Sequence, residues 1–134
     1  MTKYLILYAA CALIFFPLDF IWLSTMGKTF YQKELGDLLL QNPNLVIAGL
    51  FYLVYVGGIV FLAVSPALSG GNWSTALLAG IVLGLVAYGT YDLTNLSTLK
   101  NWPLAVTLVD LAWGTVLTGV AATGGFLVTR WLAA

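Results

Sequence analysis

The sequence contains no histidine and a single cysteine, Cys11. Without histidine the chain cannot form histidine-ligated haem, a carboxylate–histidine di-iron centre or the usual catalytic zinc sites. Serine–histidine and cysteine–histidine nucleophile pairs are excluded for the same reason. One cysteine cannot form an internal disulfide. Only an all-oxygen site for a hard cation such as magnesium remains chemically available, and we predict neither a cofactor nor a dedicated metal site.

Charged residues are also scarce. They make up 7% of the chain, five basic and five acidic, whereas typical soluble domains carry about 25%. No basic stretch suited to nucleic acid and no phosphate-cradling glycine loop is present, so we expect no nucleic-acid partner. Hydrophobic residues instead account for 61% of the chain, and the mean hydropathy is +0.99. This composition is typical of a protein whose main partner is the lipid bilayer.

Four apolar stretches are each close to the ~20 residues that a helix needs to cross the hydrocarbon core. The sequence therefore predicts an all-α integral membrane protein, an antiparallel bundle of four transmembrane helices. We expect one domain over residues 1–134 without a soluble appendage. Asp19 and Trp22, inside the first stretch, argue against a cleaved signal peptide. The stretches are Tyr4–Thr25, Leu45–Ser65, Ser74–Thr94 and Pro103–Arg130.

The connection between the first two stretches is long and amphipathic. Within residues 27–40, Phe30, Tyr31 and Leu35 belong to an apolar stripe along one side of a helix, and charged residues such as Lys33 and Glu34 lie on the opposite side. This pattern predicts a short amphipathic helix lying in the membrane interface. Such a helix would lie over the acidic residues described below, either as a surface anchor or as a lid.

The charges do not determine the orientation in the membrane. With four spans, both termini and the loop 67–73 share one face, called face A, and the connections 26–44 and 97–102 share the opposite face B. Lysine and arginine are almost equally divided between the two faces. The positive-inside rule therefore gives no clear direction.

Three aspartates, Asp19, Asp92 and Asp110, lie inside the apolar stretches. A carboxylate at the membrane centre costs roughly 2.5–3.5 kcal/mol on the insertion scale, so such residues usually have a function. Each aspartate lies six or seven residues from the expected face-B end of its helix. At 1.5 Å per residue, all three are predicted about 9–10 Å below face B.

Polar and aromatic side chains accompany these acids at helical spacing. An acid-x-x-tryptophan spacing starts at Asp19 and again at Asp110, and it puts each pair on one helical face. In the third stretch, Tyr88, Asp92 and Asn95 follow at steps of four and three. The sequence therefore predicts a ligand-binding pocket lined by Asp19, Trp22, Tyr88, Asp92, Asn95, Thr107, Asp110 and Trp113.

Plainer interpretations remain open. Asp19 or Asp92 alone could be an interfacial carboxylate that reaches water, and Trp22 and Trp102 could be ordinary interface tryptophans. Tyr52 and Tyr55 lie near mid-membrane, where each hydroxyl needs a partner. They could form the floor of the pocket, or they could donate to backbone carbonyls.

Four segments of the chain carry distinctive motifs: Phe30–Gly36 (FYQKELG), Tyr91–Leu96 (YDLTNL), Leu99–Pro103 (LKNWP) and Val109–Gly114 (VDLAWG). These segments resemble a bacterial family of predicted inner-membrane proteins, known as domain of unknown function 2177 (DUF2177). The similarity extends over essentially the whole chain. It implies a small multi-pass protein of the bacterial inner (cytoplasmic) membrane, and it implies no activity and no catalytic residues.

The first functional hypothesis is binding or transport of a small cationic or amphiphilic molecule. Two carboxylates that lie close together tend to share a proton, and a cationic ligand can replace that proton. Proton-coupled exchange can work in this way. Four short spans are few for a transport path, so this hypothesis favours a homodimer.

The second hypothesis is an intramembrane enzyme that acts on a lipid or isoprenoid. Asp110 would be the acid and Asp19 or Asp92 the base, with tryptophans stabilising a carbocation, or the acids and Asn95 would hold magnesium against a pyrophosphate. Its weakness is the lack of basic residues to meet phosphate. The third hypothesis is an accessory subunit whose acids pair with cationic residues of another protein. The sequence does not decide whether the protein is an enzyme.

Overall fold

The computed structural model describes residues 1–133, and within that range the chain forms helices and no strand. Four helical spans are long and apolar enough to cross a membrane. The predicted all-α membrane bundle is therefore confirmed. We refer to these helices as the first to the fourth span, and they comprise Thr2–Leu38, Leu45–Leu68, Trp73–Thr98 and Leu104–Ala133.

The first span is longer than its apolar stretch. Helix α1 (Thr2–Met26) runs into a π-helical turn, Gly27–Tyr31, and then into α2 (Gln32–Leu35) and a 3-10 turn, Gly36–Leu38. The helical segment predicted after the first stretch is thus present, and it continues α1 without a loop. Gly36, whose φ of +53° suits glycine, follows α2 and begins the 3-10 turn.

The second span is the least buried of the four. It consists of α3 (Leu45–Ile59), a second π-helical turn, Val60–Val64, and α4 (Ser65–Leu68). Asn44 caps its beginning, since its side-chain oxygen accepts a hydrogen bond from the Ile47 amide at 3.1 Å. Most of this span's surface therefore remains open to lipid.

The third and fourth spans, α5 (Trp73–Thr98) and α6 (Leu104–Ala133), pack closely. Small residues make this approach possible. A Cβ atom added at Gly84 would lie 2.5 Å from the Gly114 carbonyl oxygen and 2.9 Å from Thr115 Cα. Gly80 meets Ala122 and Gly119 in the same way. The two helices therefore form the rigid half of the bundle.

The core and the exterior are both apolar, as expected for a protein surrounded by lipid. Leu7, Cys11 and Phe15 of the first span are fully buried in the core. Large apolar side chains point outward, as shown by Leu13 and Phe61, which are 74% and 75% exposed. Asp19, Asp92 and Thr107 are buried polar side chains toward face B, and Thr118 and Thr129 are buried farther along the fourth span.

Candidate intramembrane carboxylate site

The three predicted aspartates come from three different spans and point into the bundle. Asp92 of the third span is completely buried, and Asp19 of the first span is 4% exposed. Asp110 of the fourth span is half-buried. None of these carboxylates extends freely into the surroundings, so the packing between helices determines their partners.

Each tryptophan of the two acid-x-x-tryptophan pairs donates to a residue outside its own pair. Trp113 donates its indole N–H to Asp19 Oδ1 at 3.1 Å, so the fourth span's tryptophan binds the first span's acid. Trp22 donates to the Tyr31 hydroxyl at 3.0 Å. The two indole rings stack face to face, with centroids 4.3 Å apart and planes 4° from parallel. The tryptophans thus form a double aromatic layer next to Asp19.

Tyr31 extends this network to the second acid. Its hydroxyl, which accepts from Trp22, donates to Asp110 Oδ1 at 2.9 Å. The π-helical turn that ends at Tyr31 widens the helix there and brings this buried side chain over the bundle. Asp19 and Asp110 are therefore connected through the stacked tryptophans and one phenol.

Asp92 and Asp110 form the second part of the site. Their carboxyl groups are neighbours in the bundle interior. Neither oxygen of Asp92 has a donor among the side chains and amides of residues 1–133. Two carboxylates make no hydrogen bond unless one of them is protonated. Both oxygens of Asp92 are therefore buried acceptors without a donor in the described part of the chain.

Asp19 lies at the edge of the bundle. Its Oδ2 atom is buried and has no hydrogen-bond donor in the described part of the chain. The Tyr52 hydroxyl lies beside this carboxylate. Both residues line a groove of about 210 Å³ between the first and second spans. The other residues that line the groove are apolar or small, namely Phe16, Phe20, Leu23, Leu45, Ala48 and Gly49.

No basic side chain neutralises these acids within residues 1–133. Every lysine and arginine is exposed toward one face of the bundle or the other. The described residues also contain no group of three or more histidine, cysteine, aspartate or glutamate side chains placed to hold a metal ion. The three acids therefore form a pair and a separate third member, rather than a compact cluster of ligands.

Tyr88 lies between the two parts of the site. Its ring packs on the backbone of Gly114, where even a Cβ atom would overlap it. It meets the Tyr55 ring edge-on at a centroid distance of 6.2 Å, and it lies within electrostatic range of Asp19 and Asp110. Tyr55 itself bonds to Thr118 at 2.8 Å. Tyr88 is thus part of the wall around the acids.

Asn95 and Thr107 lie farther toward face B. Asn95 is half-buried beside Tyr91, which meets the Trp102 ring edge-on at a centroid distance of 5.8 Å. The buried Thr107 hydroxyl accepts from the Trp102 indole at 3.0 Å and donates to the Pro103 carbonyl oxygen at 3.3 Å. Thr107 therefore contacts the connecting loop through Trp102 and Pro103, and its hydroxyl forms no hydrogen bond with any of the three aspartates.

Tyr31 was absent from the predicted pocket, and Tyr52 was considered only for its floor. The sequence placed Tyr31 in the apolar stripe of the connecting segment. A phenol on the inward side of an amphipathic helix was the available signal, because a buried hydroxyl requires a partner. Nothing in the spacing indicated that this partner would be Asp110.

Four apolar helices with carboxylates held between them define a small multi-pass membrane protein. The chain matches the model of the family described as predicted membrane protein (DUF2177) over residues 4–127. It therefore belongs to that family, as the sequence motifs predicted. No curated protein and no solved structure matches the chain.

Proposed function

We propose that this protein binds a small cationic or amphiphilic molecule at its three aspartates and moves it across the bacterial inner membrane in exchange for a proton. One observation carries the proposal. Asp92 is fully buried, and neither of its carboxylate oxygens has a donor in the described part of the chain. A buried polar group without a hydrogen bond is strongly unfavourable, so a proton or a cationic ligand belongs there.

The Asp92–Asp110 pair is where a proton is exchanged for the cationic ligand. With no ligand bound, one carboxyl group is protonated and donates to the other. A cation that approaches the pair stabilises both carboxylates, and the shared proton then leaves. Binding and proton release are thus linked, because the same two acids take either a proton or the cation.

Aromatic side chains around the acids also favour a cation. Aromatic rings attract cations that lie over their faces within about 6 Å of the ring centroid. Trp22 and Trp113 form a stacked pair next to Asp19, and Tyr31 joins Trp22 to Asp110. The outer faces of these rings are suited to alkyl groups on a cationic nitrogen. We propose a homodimer for transport, because four spans are few to enclose a path.

The other two hypotheses have less support. An enzyme that acts on a pyrophosphate needs basic residues or a metal site, and residues 1–133 place neither beside the acids. An accessory subunit needs acids that another protein's cations can reach. Asp92 is fully buried and Asp19 is nearly so, so a small molecule that enters between the helices reaches them more readily than the side chains of a folded partner do.

The experiment is a calorimetric titration of the purified protein with benzyltrimethylammonium, repeated in buffers of different ionisation enthalpy to count released protons. We expect saturable binding with release of about one proton per ligand, because one shared proton is displaced. Asp92→Asn and Asp110→Asn are each expected to abolish the release and weaken binding by about tenfold or more, as for loss of a charged partner.

Asp37→Asn is the matched control, since Asp37 is exposed outside the site. It should bind like the wild type. Benzylsulfonate, an anion of similar size, should not bind. Equal binding of the anion, or full proton release by both site variants, would contradict the proposed function.

A further inference from the structure

We infer that the ligand reaches Asp19 from within the bilayer, through the groove between the first and second spans, and that it is an alkylamine whose ammonium group binds Asp19 Oδ2. This inference rests on the proposed function and narrows its ligand class. A water-soluble cation would need no chain, whereas the ligand inferred here carries an alkyl chain that remains in lipid.

The chemistry of the groove combines one polar position with an apolar lining. Asp19 and Tyr52 are its two polar residues, and the other residues that line it are aromatic, aliphatic or small. Asp19 Oδ1 is already bonded to the Trp113 indole inside the bundle. The other oxygen, Oδ2, is buried without a hydrogen-bond donor. The carboxylate that lines the groove therefore has one acceptor atom without a partner.

The groove lies along the membrane-crossing length of the bundle. It lies between two spanning helices, and Phe16, Phe20 and Leu23 extend along the membrane-crossing part of α1. Phe20 is 73% exposed. In a membrane these outward surfaces contact acyl chains. A ligand that enters here must therefore dissolve in the bilayer first, which a single-chain amphiphile does.

An ammonium group matches the acceptors of the groove. A primary amine in its charged form can donate three hydrogen bonds, and its positive charge neutralises the negative charge of an unpaired carboxylate. The Tyr52 hydroxyl, beside the carboxylate, can direct its O–H toward Asp19 and accept from the ammonium group through its oxygen. The alkyl chain of the amine then lies against Phe16 and Leu23 and continues into the surrounding lipid, so its length is not limited by the groove.

Gly49 allows the groove to be closed without disturbing the fold. It lines the groove, and a Cβ atom added there would meet nothing within 4 Å. Gly49→Leu should therefore fill the groove from the second span. Gly57 lies on the same helix with the same open space around it and does not line the groove. Gly57→Leu is thus the matched control.

The test uses dodecylamine and dodecanol, each with a photoreactive diazirine in the middle of its chain, and the protein in phosphatidylcholine nanodiscs. Labelled peptides are located by mass spectrometry. We expect the amine to label residues 16–23 and 45–52 about tenfold more than the alcohol does, since a charge-assisted hydrogen bond is lost with the alcohol. Gly49→Leu and Asp19→Asn should abolish this preference, and Gly57→Leu should retain it.

Two outcomes would overturn the inference. The first is equal labelling by amine and alcohol in the wild type, and the second is an unchanged preference in Gly49→Leu. Should either occur while benzyltrimethylammonium still binds the wild type with proton release, the lateral route fails and the proposed function stands. Should the wild type bind neither benzyltrimethylammonium nor the amine, both fail.

Discussion

Tyr31 has an unusual position for a residue in a connecting segment. Its hydroxyl accepts from one tryptophan and donates to an aspartate of another span, so both hydrogen-bonding capacities are used. The residue is almost fully buried, although its neighbours Gln32 and Lys33 are exposed. Tyr31 therefore ties the extension of the first span to the acid pair, and it fixes the orientation of the Asp110 carboxylate.

We predict that Tyr31→Phe lowers the free energy of unfolding by about 1–2 kcal/mol, because it removes two buried hydrogen bonds and leaves the ring in place. Denaturant unfolding of the detergent-solubilised protein measures this. Tyr4→Phe, at an exposed tyrosine of the same helix, should have little effect. An equal loss in the two variants would show that the Tyr31 hydroxyl makes no special contribution.

The helices differ in how tightly they are held. The third and fourth spans approach each other closely at their glycine residues, and the backbone of the fourth span lies directly against Gly84 of the third. The second span is the least buried, and its glycines at 49, 57 and 58 have open space around them. The bundle thus has one rigid pair of helices and one loosely packed helix, and the groove at Asp19 lies beside the loosely packed one.

Gly84→Ala should destabilise the bundle by about 1–3 kcal/mol, because its added methyl group overlaps the facing backbone and forces the two helices apart. Gly58→Ala should instead be neutral or stabilising, since alanine favours a helix over glycine by about 1 kcal/mol and nothing lies nearby. Thermal unfolding followed by circular dichroism compares the two. Similar stability of both variants would mean that the close approach at Gly84 is absent.

The whole molecule is arranged for lipid, with apolar side chains both inside and outside and its acids between the helices. The four spans place the amino terminus and the turn at Ser69–Asn72 on face A. The connections around Gln41 and Asn101 lie on face B. Because the single natural cysteine is buried in the core, labelling of introduced cysteines has a low background.

We predict that Ser69→Cys and Gln41→Cys react with a membrane-impermeant maleimide from opposite sides of sealed vesicles. The reason is that one complete span, Leu45–Leu68, separates these exposed positions. Cys11 in the parent protein should remain unlabelled on both sides until the protein is unfolded. Labelling of both introduced cysteines from the same side would contradict four membrane crossings.

The sequence by itself determined the number of spans, and it predicts a common depth for Asp19, Asp92 and Asp110. Both follow from composition and from the constant helical rise of 1.5 Å per residue, which needs no knowledge of other helices. The single domain, the ligand-binding role of the eight pocket residues and the inner-membrane location stay predictions.

Only the tertiary structure decided which groups meet. Trp113 binds the acid of another span rather than its own neighbour, and Tyr31 reaches Asp110 across 79 positions of the chain. Such pairings depend on how each helix is rotated about its axis and on the extra turn that a π-helical segment introduces. Rotation is set by the packing of side chains between helices, as at Gly84 and Gly114, and a residue's depth along one helix carries no information about it.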